Sequence, residues 1–382
     1  MLLARSSPQG AGLDPEKLHS AFGMVASWVE EGVVPGAVAL VARRGRVAGT
    51  WAGGRLSAEP DAGPVTETTP FAVASITKVV TAIALLRQID EGKAALDTPA
   101  PSIVPEWRVP GAEKITLKHL LSHTSGLPAD LPSGALNYED YNPLEVIVDA
   151  FMQVPPRYEP GEKLIYSNIG YGIIWRMLER LSGMGYHELV WRGVLGPLWM
   201  NDTWFGNPPE EKAETIATAE GTDRPGTDLD PYNGAYFRGL GHPWGGMFST
   251  AGDVAVLAQV FLDNGRPLLE VNTALAAIRN WTNGLAGGYS TWPRFPTGDW
   301  GLGWEIKGAR GKHWTGSRTS HATFGHMGAS GVFVWADLMQ DLICVLLTNR
   351  TTGNGWPIAG PQERWLAFSD AVQDAVILDF GF

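Results

Sequence analysis

The chain has one cysteine in 382 residues. A single thiol can form neither an internal disulfide nor a cysteine-based metal site, so no metal or other cofactor is expected. Cys344 lies in the apolar run Leu342–Leu347 and reads as an inert core residue. Basic residues are also scarce. Lys and Arg total 29 against 40 Asp and Glu, a net charge of −11, and no basic run offsets the deficit. That excludes nucleic acid as a partner, because such a surface needs clustered positive charge. The densest basic cluster, Arg43-Arg44-Gly45-Arg46, separates the apolar stretches Ala37–Ala42 and Val47–Trp51 and reads as a hairpin turn. No uncharged apolar stretch is long enough to span a bilayer, and residues 1–14 lack the charged-then-apolar layout of an export signal. The expectation is a cytoplasmic protein with no membrane partner. Repeats and low-complexity segments are missing. So is G-x-S-x-G, which removes the usual nucleophile turn of α/β-hydrolases.

What is present is a chain with 44% hydrophobic residues, enough for one large domain or two interlocked ones. Helical spacing marks Leu18–Val29, the stretch from Ser75 to Gly92, Leu144–Met152, Gly170–Leu181, Tyr186–Val194, Thr250–Leu262 and Arg364–Val376. Ser249 or Thr250 would cap the helix that follows. Gly301–Ile306, Gly331–Trp335 and Leu342–Leu347 read as strands, with Asp337–Asp341 the turn between the last two. Strands at both ends with helices between them predict an α/β (α+β) fold. Residues 1–70 and 297–382 would build one sheet, a mainly helical region of residues 71–296 would be inserted, and the active site would lie at their interface. Asn207–Gly245, polar and rich in Gly, Pro and Asp, reads as a long surface excursion. Sixteen tryptophans is a high count. Trp281, Trp292, Trp300, Trp304 and Trp314 crowd one stretch, where they would wall an apolar pocket or pack two subdomains together.

Ser75-Ile76-Thr77-Lys78 is the only S-x-x-K in the chain. With 18 serines and 9 lysines, chance alone supplies roughly 0.4 such tetrapeptides, so context has to carry it. Ile76, Val79, Val80, Ile83, Leu86 and Ile89 recur at helical spacing, and Phe71–Ala74 is apolar, so the helix looks buried where the lysine stands. Residues three apart share a helix face, which brings hydroxyl and amine within reach. Burial and the positive end of the helix dipole both favour the neutral amine, and a neutral amine can take a serine proton. Tyr166-Ser167-Asn168, on a turn before the helix at Gly170, offers a phenol to move a proton and an amide to bind an acyl group. Gly325-His326-Met327-Gly328-Ala329-Ser330-Gly331 reads as a glycine-rich entry to a strand, whose backbone can approach a ligand closely.

In order and spacing the three motifs resemble those of the serine β-lactamase-like hydrolases. That group holds class C β-lactamases, DD-peptidases, D-aminopeptidases and family VIII carboxylesterases. Leu120–Leu127 and Gly245–Asp253 resemble two further segments of the family, and the likeness runs from about Leu13 to Val376. It implies the β-lactamase/penicillin-binding-protein-like fold, an antiparallel sheet flanked by helices. It implies Ser75 as the acylated nucleophile and Lys78 with Tyr166 as a shared base. The N–H groups of Ser75 and Ala329 would form the oxyanion hole, Asn168 would hold the substrate's acyl side, and His326 and Gly328 would shape that edge. His123, inside one resembling segment, is expected to be a structural loop histidine.

The chain departs from the family at the third motif. β-Lactamases and peptidases of the group usually carry Lys-Thr-Gly there, and this chain has His326-Met327-Gly328. A histidine is mostly neutral at pH 7, so the fixed charge for a substrate carboxylate is lost, and Met327 removes a hydroxyl. The expected activity is hydrolysis of small neutral carboxylic esters. Alternatives are amide, β-lactam or D-amino-acid peptide hydrolysis, acyl transfer, and, in another class, a non-catalytic ligand-binding sensor. The partner is a small-molecule ester or amide; acyl length, alcohol and oligomeric state are not encoded in these motifs.

Overall fold

The computed structural model describes residues 3–288, 294–354, 356 and 361–377. Its largest sheet has seven strands in the order Ala4–Arg5, Arg46–Gly54, Gly36–Arg43, Leu342–Thr348, Val332–Asp337, Thr323–Gly328 and Glu305–Ile306. All neighbours are antiparallel except the first pair. Gly36–Arg43 and Leu342–Thr348 lie centrally and are buried at every position, which is why both read as continuous apolar runs rather than alternating ones. The hairpin turn at Arg44-Gly45 has both residues in the left-handed region (φ 54° and 70°), the geometry whose twist matches its strands.

Side chains alternate between two cores. Ala37, Ala39, Val41, Cys344, Leu346, Phe333 and Trp335 face the helices Pro15–Glu30 and Pro361–Asp374. Val38, Leu40, Ala42, Val334, Ile343, Val345 and Leu347 face a larger core shared with Ala251–Leu262 and Thr77–Asp90. Pro15–Glu30 begins where Asp14 accepts from the N–H groups of Glu16 and Lys17, with proline at the first helical position. Thr250, not Ser249, caps Ala251–Leu262 by accepting from Asp253 N.

Three expectations need correction. Gly301–Ile306 is a strand only at Glu305–Ile306, because Gly303 at φ 95° breaks the extended run. His326 and Gly328 belong to the full strand Thr323–Gly328 rather than to a glycine-rich entry. The glycines there serve packing: a Cβ on Gly325 would fall 2.7 Å from the Trp314 ring and 2.9 Å from Trp335 Cβ. The tryptophans also divide. Trp304 packs on Phe261 and Phe324, Trp314 on Phe333, and Trp300 belongs to the site described below. Trp292 lies outside the described residues. No helix among the described residues is long and apolar enough to cross a membrane.

Candidate active site

The turn bearing Ser75 is built by strain and held by staples. Phe71–Ala72 pairs with Met247–Ser249, and Val73 N donates to Met247 O at 3.0 Å. Ala74 then enters the left-handed region at φ 44°, which costs a residue with a Cβ about 1 kcal/mol. That reversal places Ser75 in the 3-10 turn Ala74–Ile76, which runs into the helix Thr77–Asp90. Thr77 locks it, its hydroxyl donating to Ala74 O at 2.5 Å and accepting from Met247 N at 3.2 Å.

Lys78 stands one turn on and is wholly buried. Its Nζ is 3.2 Å from Ser75 Oγ and donates to the Trp244 carbonyl at 2.6 Å. It has no ion pair among the described residues, so burial pushes its pKa down to about 7, against a smaller opposing pull from Asp130. Three buried histidines surround it without charge. His123 is held well below 6.5, His242 at about 3 and His326 at about 4, each by burial first and by Lys78 next.

Tyr166 follows the strand Leu164–Ile165, which pairs in parallel with Leu285–Gly288, and its N–H donates to Gly288 O at 3.1 Å. Ser167 caps the helix Asn168–Ser182, two residues earlier than apolar periodicity suggests. Lys78 Nζ sits 4.8 Å from the centre of the Tyr166 ring, and Trp300 and His326 close two further sides at 5.7 and 6.1 Å. Burial pushes the phenol well above its usual pKa of 10, and the Ser75 side chain draws it partly back.

The strand Thr323–Gly328 meets the Ser75 turn edge-on. Ser330 Oγ donates to Ala72 O at 2.5 Å, and a Cβ on Gly328 would fall 2.5 Å from Val73 O. Gly328→Ala therefore has to push the strand off the turn that bears Ser75. A displacement of that kind is expected to lower kcat/KM by roughly 10²-fold. Steady-state kinetics checks it, and an unchanged value would mean that the strand tolerates the methyl group. His326 Nδ1 donates to Met327 O at 2.8 Å, so Nδ1 carries the ring proton. The N–H groups of Ser75 and Ala329 donate to no protein group among the described residues.

Ala329 and Asn168 open onto a cavity of about 760 Å³, with Asp130, Asp223, Tyr232 and Phe237 among its walls. The excursion of residues 207–245 thus supplies part of the cavity, while no described residue of the Trp281–Trp314 stretch lines it. Asn168 Nδ2 donates to Asp130 Oδ1 at 2.6 Å. Asp130 and the Trp244 carbonyl are the two partners that sequence reading missed. Asp130 sits in a Pro/Gly-rich stretch with no pattern tying it to Asn168, and a main-chain acceptor leaves no signature in residue type. The seven residues Ser75, Lys78, Tyr166, Asn168, His326, Gly328 and Ala329 come from three separate chain segments and lie together, with Asn168 and Ala329 lining the cavity itself.

The sequence profile described as Beta-lactamase matches residues 23–367. The chain is 27% identical to an Escherichia coli O157:H7 protein named "Putative D-alanyl-D-alanine carboxypeptidase", over 95% of this chain and 88% of that one. It is 30% identical to penicillin-binding protein 4 of Amycolatopsis lactamdurans, over 75% of this chain and 73% of that one. Among solved structures, EstCE1, described as a hydrolase with promiscuous acyltransferase activity, superposes with a TM-score of 0.76. It covers 94% of this chain and 98% of its own at 21% identity, a likeness of fold. The strained serine turn, the buried lysine and every strand of the large sheet except Ala4–Arg5 sit within the matched span, and the chain belongs to the beta-lactamase family.

Proposed function

We propose that this serine hydrolase cleaves small neutral carboxylic esters through an acyl-enzyme on Ser75. The observation that carries the reading is His326. It occupies the place where family peptidases and β-lactamases usually present a cation, yet it is buried, donates to its own Met327 carbonyl, and is held neutral down to about pH 4. A substrate carboxylate finds no charge there, and a neutral ester needs none.

In this reading Lys78 and Tyr166 act together as the base. Ser75 Oγ attacks the ester carbonyl while its proton passes to the neutral amine 3.2 Å away, directly or through the phenol. The Ser75 and Ala329 N–H groups stabilise the oxyanion. Collapse expels the alcohol, which takes the proton back, and water then enters along the same path to release the acid. Protonation belongs to the pair rather than to one residue, with an apparent pKa near that of Lys78, about 7.

A second reading, hydrolysis of a D-amino-acid amide or peptide, is favoured by one contact. Asp130 fixes Asn168 with its Nδ2 turned to the carboxylate, which leaves Oδ1 to accept a substrate N–H. The names of the carboxypeptidase and penicillin-binding relatives point the same way, while EstCE1's described activity makes acyl transfer the variant to watch. The deciding experiment compares kcat/KM for p-nitrophenyl butyrate, nitrocefin and a D-alanyl-D-alanine peptide. The ester is expected to lead both others by roughly 10²-fold, the scale of leaving a charged substrate group unpaired. A peptide or lactam turned over as fast as the ester would reject the ester reading.

A further inference from the structure

We propose that His123 is the positioning residue for Tyr166, an inference that rests on the reading of Tyr166 as part of the base. Tyr166 is gripped on both sides of its backbone. Its own N–H donates to Gly288 O at 3.1 Å. The N–H groups of its two neighbours point the opposite way, and both end on His123. Ile165 N donates to the His123 carbonyl at 2.8 Å, and Ser167 N donates to His123 Nδ1 at 3.0 Å. One residue thus takes the place of a neighbouring strand, using a backbone acceptor and a side-chain acceptor spaced to match alternate N–H groups.

The arrangement sets three conditions on position 123. The backbone is left-handed at φ 57°, a conformation that histidine and asparagine accept more readily than most residues. Nδ1 accepts from a backbone N–H, so the proton must sit on Nε2 and the ring must be neutral. The ring itself lies 4.4 Å from the Tyr166 ring, tilted by 35°, and touches Trp300 edge-on at 5.0 Å. It is buried beside the phenol ring that Lys78 also approaches, and burial with the nearby lysine keeps it neutral. A histidine without a path to substrate therefore fixes where the phenol stands between Ser75 and Lys78. A shift of about 1 Å in such a group is enough to cost roughly 10²-fold in rate.

The test compares His123→Asn, His123→Phe and His123→Ala with Tyr166→Phe, each normalised by fluorophosphonate titration of Ser75 so that only folded sites count. Asparagine keeps an acceptor near the Nδ1 position and tolerates the left-handed backbone. Phenylalanine keeps the ring and loses the acceptor. Expected are a fall in kcat of roughly 10²-fold for Phe and Ala with little change in KM, a displaced midpoint in the pH–kcat profile, and recovery of about tenfold in the Asn variant. The proposal is overturned if Phe and Ala keep wild-type kcat per titrated site, or if Asn is no better than Ala. Should Phe and Ala fail to fold, the Asn variant decides: a kcat as low as that of Tyr166→Phe overturns the proposal, and one well above it with a displaced pH midpoint supports it. A Tyr166→Phe enzyme with wild-type kcat would instead remove the reading of Tyr166 on which the inference stands.

Discussion

Ser75→Ala is expected to lower kcat for p-nitrophenyl butyrate by about 10⁴-fold or more, leaving only what binding and the oxyanion donors supply. The magnitude follows from the chemistry of the step. Without Oγ no acyl-enzyme forms, and water would have to be placed and deprotonated in a turn shaped around a hydroxyl. The substitution is small, and the staples of the turn involve Thr77, Val73 and Met247 rather than the serine, so the melting temperature is expected to stay close to wild type. Intact-mass spectrometry with a fluorophosphonate gives the second readout, one adduct per chain for wild type and none for the variant. Full activity in Ser75→Ala would end the assignment. A wild-type protein that takes the adduct but turns over no ester or amide would instead be the non-catalytic binder.

Lys78→Met is expected to abolish activity and yet stabilise the fold at low pH. Burial holds the ammonium at a pKa of about 7, against about 10.5 in the unfolded chain. Below pH 7 both states are protonated, and the native state carries the full penalty of the buried charge, about 5 kcal/mol at that difference. Between about pH 7 and 10.5 the unfolded chain binds the proton and the native one does not, so wild-type stability rises with pH across that window. Methionine removes the charge but leaves the Trp244 carbonyl without its donor, which gives back about 1–3 kcal/mol. The net expectation at pH 6 is a variant more stable by about 3 kcal/mol, a few degrees in melting temperature, with the advantage gone by about pH 9. Thermal unfolding of both proteins at the two pH values checks it. A variant less stable at pH 6 with the wild-type pH slope would show that the lysine is not held neutral by burial. The same titration governs rate: wild-type kcat/KM should climb as pH rises through about 7 and Lys78 loses its proton.

The family and the pairing of Ser75 with Lys78 were legible because their signals are local. Ser75 and Lys78 are three residues apart on one helix, so the pattern that places the helix also pairs the groups. Tyr166 and His326 are distant in sequence, and only the order of motifs joined them to Ser75. The strands Gly36–Arg43 and Leu342–Thr348 announced themselves as apolar runs, and the absence of lysine at the third motif was visible by inspection. Gly301–Ile306 misled because an apolar composition does not reveal a glycine held at positive φ.

The sequence alone therefore determined the class of chemistry, the order of the elements and the lack of a fixed cation at position 326. Tertiary structure decided what state those groups are in. Lys78 has a pKa near 7 because it is buried beside two tyrosine rings, with no ion pair among the described residues. Tyr166 is held in place by His123, which is 43 residues away in sequence and adjacent in space. Such properties depend on burial and on main-chain acceptors contributed by remote segments, and neither is written in the identity of the residue that they control.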